Sequence, residues 1–489
     1  MKMKSLVCFT LLLAGNLVSP LFAEEFREWT MADGRKSPTK CKFVKVAVGQ
    51  VELVREDTGK IVKIRLDQLS KEDLAYVNQA RAGAGGAAGT VVLGQWNQWR
   101  GPNRDGKSPD KKLLKEWPEA GPPLLWKYEG VGNGFSSIAI SDGLIFTQGQ
   151  KGGKCQLMAI QLDGAKEAWA LPFGEGEPNG APSVSDGMVF AVDSKGNVVA
   201  ANAKSGEEVW KVNFGKDFGG SMMSGWGYSE GPLIDGDRII LTPGGEDALM
   251  VALDKKTGKV IWKTKTPDLG SKGKPGAGYT GPVISNAAGT KQYVNLVGKA
   301  VVGVSADKGE VLWSYNAVNN DTANIPTPLV KDDYVFVSTG YGAGAALLQI
   351  KKSGKGFEAK EVYRLEASKF QNHHGGMIID GDYLYAGTGH NNGFPICLEW
   401  KTGDIKWGEE RHSKGKGSAA AVWADDHLVF RYQNGIVALI DASPKCYKEL
   451  GSFTPVHNER EAWAHPVVLQ GKLYLRSQNV LMCYDVQAR

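Results

Sequence analysis

The sequence predicts an all-β chain dominated by an eight-bladed β-propeller of four-stranded blades, and three observations carry that prediction. A weak repeat runs from about Phe135 to the C-terminus, each unit opening on small residues and an apolar strand, turning at Asp-Gly or its equivalent, and closing on a strand with a Trp. Its clearest copy is Gly231-Pro232-Leu233-Ile234-Asp235-Gly236-Asp237-Arg238-Ile239-Ile240, followed by Val251-Ala252-Leu253-Asp254 and Thr257-Gly258-Lys259-Val260-Ile261-Trp262. The turns recur at Asp142-Gly143, Asp186-Gly187, Asp235-Gly236, Asn286, Asp332-Asp333, Asp380-Gly381, Asp425-Asp426 and Gln470-Gly471, a mean spacing of about 47 residues, close to that of four-stranded blades. Trp169, Trp210, Trp262, Trp313 and Trp407 hold equivalent outer-strand positions, with Tyr363 and Leu450 as weaker occupants. The last unit ends at Tyr484-Asp485-Val486 without such a strand, while a spare one lies upstream at Leu124-Leu125-Trp126-Lys127-Tyr128. Pairing the two would close the ring and remove an exposed sheet edge.

Ahead of the repeat the chain divides into three segments. Met1–Ala23 reads as a secretory signal: Lys2 and Lys4 lead, Leu6–Leu13 form the apolar core, and Leu21-Phe22-Ala23 ends on a small residue. Residues 24–80 predict a small SH3-like β-barrel, because Phe26–Thr30, Lys42–Val46, Val51–Val54 and Ile61–Ile64 alternate as half-buried strands. Ser70 stands where it would cap a short helix, with Asp73 three residues on. Residues 81–94 form an Ala/Gly linker, densest over Arg81–Gly89, and 95–489 hold the propeller. The expected product is an exported protein, periplasmic or extracellular, soluble once the signal is removed and without a membrane span.

Composition narrows the function classes. Lys+Arg of 58 against Asp+Glu of 53 gives a net charge of +5, and no dense basic run interleaved with aromatics supports a nucleic-acid partner. Beyond Cys8 in the signal, the cysteines are Cys41, Cys155, Cys397, Cys446 and Cys483, with no adjacent pair and no metal-ligand spacing. They read mostly as small buried hydrophobes, with an odd count that leaves at least one thiol free or intermolecular. No strand-to-helix elbow of the nucleophile type and no Gly-x-Gly-x-x-Gly opening a helix is read in this all-strand repeat, and much of the abundant Gly (63) sits in tight turns.

Arg27-x-Trp29-Thr30, Asp33-Gly34 and the Leu66…Leu69-Ser70-x-x-Asp73 ending resemble the homology domain of yeast endocytic adaptors that binds Asn-Pro-Phe-x-Asp peptides. That resemblance covers only the front segment and implies a peptide- or protein-docking module; a spacer or dimerising domain is the alternative. Gln98-Trp99-Arg100-Gly101-Pro102-Asn103-Arg104-Asp105-Gly106, Glu116-Trp117-Pro118, the Val251…Trp262 unit and Ala462-Trp463-Ala464-His465-Pro466 resemble a secreted bacterial propeller family built from pyrroloquinoline-quinone (PQQ)-type repeats. The family shares its repeat with quinoprotein alcohol dehydrogenases and with the propeller lipoprotein of the outer-membrane β-barrel assembly machine. The dehydrogenases carry an adjacent Cys-Cys disulfide over the cofactor, sandwich the quinone against a Trp and hold Ca²⁺ with Glu, Asn and Asp. This chain has no Cys-Cys, and the calcium ligands do not map onto it residue by residue.

Chemistry is expected where the residues just before each first strand converge on one channel mouth. The candidate ligand-binding set is Ser136, Asn179, Tyr228, Glu230, Tyr279, Asn324, His373, His374, Ser418, Trp463 and His465, with Trp226 and Asn319–Asp321 on rim loops. All seven His lie between His373 and His465. Glu230 and His465 are the candidate catalytic groups. His373 and His374, as neighbours, would point to opposite faces of a shared strand and so would not ligate one ion together; no resident metal is expected. A channel lined by polar side chains and ordered water is the bland alternative.

Three functions follow as expectations. The first is an exported envelope scaffold that docks proteins or small ligands on the propeller faces, non-catalytic and without a cofactor. The second, implied by the resemblance, is a PQQ- and Ca²⁺-dependent alcohol or sugar dehydrogenase. The third is glycan binding by stacking on Trp226, Tyr228, Tyr279 and Trp463. If barrel and propeller fold separately, limited proteolysis will cut first within Arg81–Gly89 and leave two folded fragments; a chain that resists cleavage there would contradict the division.

Overall fold

The fold is seen in a computed structural model, which describes residues 26–47, 50–65, 68–74, 76–77, 95–164, 166–354, 356–408 and 414–488. Met1–Ala23, expected as a secretory signal, and Arg81–Gly89, expected as a linker, lie outside the described residues. Two compact units divide the chain, Met1–Leu93 and Gly94–Arg489.

The first unit is built on an antiparallel sheet of Cys41–Ala47, Gln50–Arg55 and Ile61–Arg65. Trp29, Cys41, Phe43, Val51, Leu53, Leu69 and Val77 form its core. Phe26–Thr30 does not form the expected strand; it makes isolated bridges, Arg27 with Cys41 and Thr30 with Lys36. The residues that carry the adaptor resemblance hold this small unit together. Asp73, almost fully buried, accepts the Thr30 N–H at 2.5 Å and pairs with Arg27 at 2.6 Å. The Arg27 guanidinium in turn covers the rings of Trp29 and Tyr76, and the Ser70 hydroxyl accepts the Asp73 N–H at 3.1 Å.

In the second unit the described residues form eight sheets of four antiparallel strands. We number these blades 1 to 8 by their first strands: Ala139–Ser141, Ser183–Ser185, Leu233–Asp235, Val283–Ser285, Leu329–Lys331, Ile378–Asp380, Ala419–Ala424 and Val467–Leu469. Each tracked turn joins the first strand of a blade to its second. Blade 8 takes Leu124–Glu129 as its fourth strand, paired with Val480–Asp485, so a strand from ahead of blade 1 and the last strand of the second unit close the ring together.

Neighbouring blades interlock at the outer strand. The indole N–H of Trp169 donates to Ala203 O at 3.0 Å, that of Trp210 to Lys255 O at 2.9 Å, and that of Trp262 to Ala306 O at 3.2 Å, each carbonyl belonging to the next blade. Each ring also lies flat on the glycine of that blade's outer hairpin: a Cβ at Gly258 would stand 2.8 Å from the Trp210 ring, and one at Gly309 2.5 Å from the Trp262 ring. Both glycines have φ near +70°, so a side chain there is disfavoured twice. Trp407 repeats the arrangement with Ser443 O, and Tyr363 substitutes its hydroxyl toward Trp400 O.

A second set of contacts ties the inner strands. Equivalent second-strand side chains reach the backbone just before the next blade: Gln148 to Gly180 O at 2.8 Å, Arg431 to Ala464 O at 2.9 Å and Arg476 to Ser136 O at 3.0 Å. Arg476 also donates to Gly132 O and Thr147 Oγ1, which makes it the latch between blades 8 and 1. Of the five described cysteines, Cys41, Cys155, Cys397 and Cys483 are buried and Cys446 is exposed, all as free thiols.

Replacing Trp262 by Ala should lower unfolding free energy by about 3–5 kcal/mol, the range for removing a packed aromatic, read as a shifted urea midpoint. Gly258→Ala should destabilise as well, through the same joint seen from the other side.

Candidate functional site

The segment that precedes the repeat builds the floor of the site. Trp96 pairs with Ile140 of blade 1, and Asn97 O accepts the Val184 N–H of blade 2 at 2.7 Å. Arg104 donates to Gly231 O and Pro232 O of blade 3 at 2.9 and 3.1 Å. The chain then reaches blades 6 and 7, with Lys107 on Asp380 at 2.7 Å and Ser108 N on Trp423 O at 2.8 Å. Ile140, Val184 and Trp423 lie toward the Asp-Gly-turn ends of their strands, whereas Gly231 lies before the opposite end of its own. Residues 95–108 therefore enter from the turn face, rise to Trp99 and return, plugging the channel. Close approach fixes the apex: a Cβ on Gly231 would sit 2.9 Å from the Trp99 Cβ.

Above the plug is a cup of about 520 Å³ with Trp99 in its floor. Its walls come from the blades: Phe135 and Ser137, Asn179, Trp226 and Ser229, Tyr279, Ile325 and Thr327, His373 and His374, Trp463 and His465. One side is a continuous aromatic wall. Ring centroids are 4.4 Å apart for Tyr341 and His390, 4.2 Å for His390 and His373, 4.2 Å for His373 and His374, 4.7 Å for His374 and Trp463, and 4.7 Å for Trp463 and Phe135. Across the cup, Trp226 stands 58% exposed on the rim beside Tyr279.

Six of the eleven predicted residues line this cup: Asn179, Tyr279, His373, His374, Trp463 and His465. The other five turn into the wall, because successive residues of an extended segment alternate sides. Ser137 faces the cup while Ser136 donates to Ser137 O, and Ser229 and Gly231 face it while Tyr228 and Glu230 do not. The Tyr228 hydroxyl donates to Pro243 O at 2.9 Å, so this ring offers no stacking face to a ligand. Asn324 donates to Gly298 O at 2.8 Å, and Ser418 to Gln433 Oε1 at 2.9 Å. His373 and His374 sit in a bend rather than a strand and both reach the cup, which corrects the opposite-face expectation. Trp99 and Tyr341 were missed. Trp99 belongs to no repeat, and Tyr341 sits on the turn beyond a second strand.

Burial sets the protonation of the histidines in the cup. Burial lowers His373 to about 3, with help from His390, and lowers His465 to about 4, with help from Arg100. His374 is held well below the usual imidazole range, mainly by burial. All three are neutral at pH 7. Glu230, the candidate base, lies behind the wall, accepts the Thr242 N–H at 2.8 Å, and is raised by burial to about 7.

The lining does not fit a calcium-bound quinone. It contains one carboxylate, Glu177, which is taken up by Arg460 at 2.8 Å, and no cysteine. Among the described residues no group of three His, Cys, Asp or Glu is arranged to hold a metal ion.

This fold and floor-sealed cup define a β-propeller of PQQ-type repeats. The chain belongs to the family described as outer membrane protein assembly factor BamB, which matches residues 115–218 and 153–409. BamB of Shewanella oneidensis is 26% identical over 288 residues, covering 56% of this chain and 69% of that protein. Quinoprotein ethanol dehydrogenase of Pseudomonas aeruginosa is 32% identical over 163 residues, 30% of this chain and 24% of its own length. Among solved structures, BamB from Moraxella catarrhalis superposes with a TM-score of 0.54 at 14% identity, covering 74% of this chain and 99% of that one. A europium-containing methanol dehydrogenase gives 0.57 at 12% identity, covering 78% and 89%. These structural likenesses are to the fold alone.

The histidine shifts set a pH dependence. A His whose folded pKa is depressed contributes stability that is lost as pH falls from the unfolded value of 6.5 toward the folded value of about 4. Glu230, raised to about 7, acts in the opposite sense. Asp105 and Asp110, also raised by burial, act with Glu230, so the histidine contribution is isolated by substitution: between pH 4 and 6.5 the thermal midpoint of His374→Gln should rise less, or fall more, than that of the unsubstituted protein.

Proposed function

We propose that this protein is an exported, non-catalytic binding propeller of the cell envelope, which docks a partner or ligand in the aromatic cup. One observation carries the reading: a cup of about 520 Å³ is walled by rings and floored by Trp99, while the groups that could do chemistry are neutral, covered or already paired. Aromatic faces with a few polar groups suit recognition. The family and the Shewanella relative support an envelope partner, and the signal-like Met1–Ala23 supports export. On this reading the SH3-like N-terminal unit supplies a second, tethered contact, and avidity follows from the linker.

A dehydrogenase role is the second reading, supported by the likeness to quinoprotein ethanol dehydrogenase. It requires PQQ and Ca²⁺, for which the lining of this cup offers only the paired carboxylate Glu177. Glycan stacking draws on the exposed Trp226 with Tyr279 and Trp463.

Calorimetric titration of the purified protein with PQQ and Ca²⁺ separates the first two readings. The scaffold reading expects no Ca²⁺-dependent binding and no dye-linked alcohol oxidation. Saturable micromolar binding, followed by dye-linked alcohol oxidation, would replace it with the enzyme. Trp226→Ala should leave the thermal midpoint nearly unchanged while weakening any cup ligand, a combination that a purely structural Trp226 would not produce.

A further inference from the structure

Four arginines surround the channel beneath and beside the cup: Arg100, Arg104, Arg431 and Arg476, each nearly fully buried. Burial lowers Arg100 and Arg431 to about 10 and Arg104 and Arg476 to about 9, which leaves all four charged at neutral pH. Among the described residues none of them forms an ion pair with a carboxylate. Their bonds go instead to carbonyls, hydroxyls and amides: Arg100 to Asp105 O and Met377 O, Arg104 to Gln98 Oε1, Gly231 O and Pro232 O, Arg431 to Ala464 O. Five guanidinium nitrogens have no acceptor at all: Arg100 Nε and Nη1, Arg104 Nε, and Arg431 Nε and Nη2.

The nearby carboxylates form no ion pair with these four arginines among the described residues. Asp105 and Glu230 are the acidic neighbours of Arg100 and Arg104, and burial raises both, which disfavours their charged forms. Asp193, under the rim, is absorbed by the N–H groups of Glu175, Lys195 and Asn197. Glu177, the carboxylate of the lining, belongs to Arg460. Arg100 and Arg104 stand 5.5 and 5.6 Å from the centre of the Trp99 ring, so the floor of the cup carries their field, and the exposed Lys195 adds a cation at the rim. A low-dielectric cup above unpaired buried cations concentrates that field on whatever enters.

From this juxtaposition of unpaired buried guanidinium groups and an aromatic cup, we infer that the ligand is a carboxylate on an apolar or aromatic body, its ring against the aromatic wall and its charge toward the Trp99 floor. The inference rests on the cup being a binding site. It requires neither a metal nor a redox cofactor. Two sources offer this chemistry, the free C-terminus of a polypeptide and a small organic acid.

The test uses matched probes on the intact protein, followed by tryptophan fluorescence and thermal stabilisation at low and high salt. N-acetylphenylalanine and N-acetylphenylalaninamide share one body and differ by one charge; naphthalene-2-carboxylate and its carboxamide form the second pair. The acid of at least one pair should bind about tenfold more tightly than its amide, the equivalent of 1.4 kcal/mol. The gap should narrow at high salt and in Lys195→Gln, whose exposed side chain can change without disturbing the fold. Arg431→Gln, checked by its melting curve, should narrow it further. A stronger effect in the peptide-like pair assigns a polypeptide terminus, and the reverse assigns an organic acid. Equal binding of acid and amide would overturn the inference and leave the cup as a neutral site. Failure of all four probes to bind would remove the cup reading, and this inference with it.

Discussion

The ring depends on one repeated joint, an outer-strand aromatic laid on the next blade's hairpin glycine with its polar atom on that hairpin's carbonyl. The joint explains why the repeat pairs a Trp at the end of one unit with a Thr-Gly or equivalent turn in the next. Where the joint fails, the chain supplies something else. Trp313 of blade 4 bonds Gln292 of its own blade, and blade 5 answers with an extended hairpin, Gly344–Ser353 and Gly356–Leu365, whose Glu361 takes the Tyr315 hydroxyl. Blade 7 presents Leu450 instead of an aromatic; Trp117 of the entering segment donates its N–H to Leu450 O and packs on Phe453 at 5.5 Å.

Residues 95–117 are therefore as much a part of the ring as any blade. They hydrogen-bond to the first strands of blades 1, 2, 6 and 7 and to the approach of blade 3, supply the cup with its floor, and cover the blade 7 joint that lacks an aromatic. Without Trp99 and its flanking arginines the channel would lack the floor that makes it a cup. The polar atoms that a narrow channel would leave unsatisfied are met here by a protein segment, with guanidinium groups serving backbone carbonyls on several blades at once.

Periodicity made the blades legible in the sequence: Asp-Gly turns and Trp strands recur at fixed spacing, and the spare Leu124 strand could be matched to the incomplete last unit. The cup was legible only in part. The approach to each first strand could be located, but not the phase that sends Ser137 inward and Ser136 outward, or Ser229 inward and Glu230 outward. One residue of phase changes a catalytic candidate into a wall residue. Trp99 was visible as a motif and invisible as a site, because nothing in Gln98–Gly106 states that the segment lies inside the ring. The depressed histidines likewise depend on enclosure by distant blades, which no local pattern encodes.

Closure of blade 8 carries a consequence for biogenesis. Its fourth strand, Leu124–Glu129, is made long before its partner Val480–Asp485, and the plug that precedes it has hydrogen-bond partners scattered from blade 1 to blade 7. Until the final strand emerges, that early segment has no complete sheet to join, and the first-made blade presents an open edge. Contacts so remote along the chain slow folding and prolong exposure of sticky intermediates. A polypeptide of this design therefore benefits from being held extended until synthesis is complete.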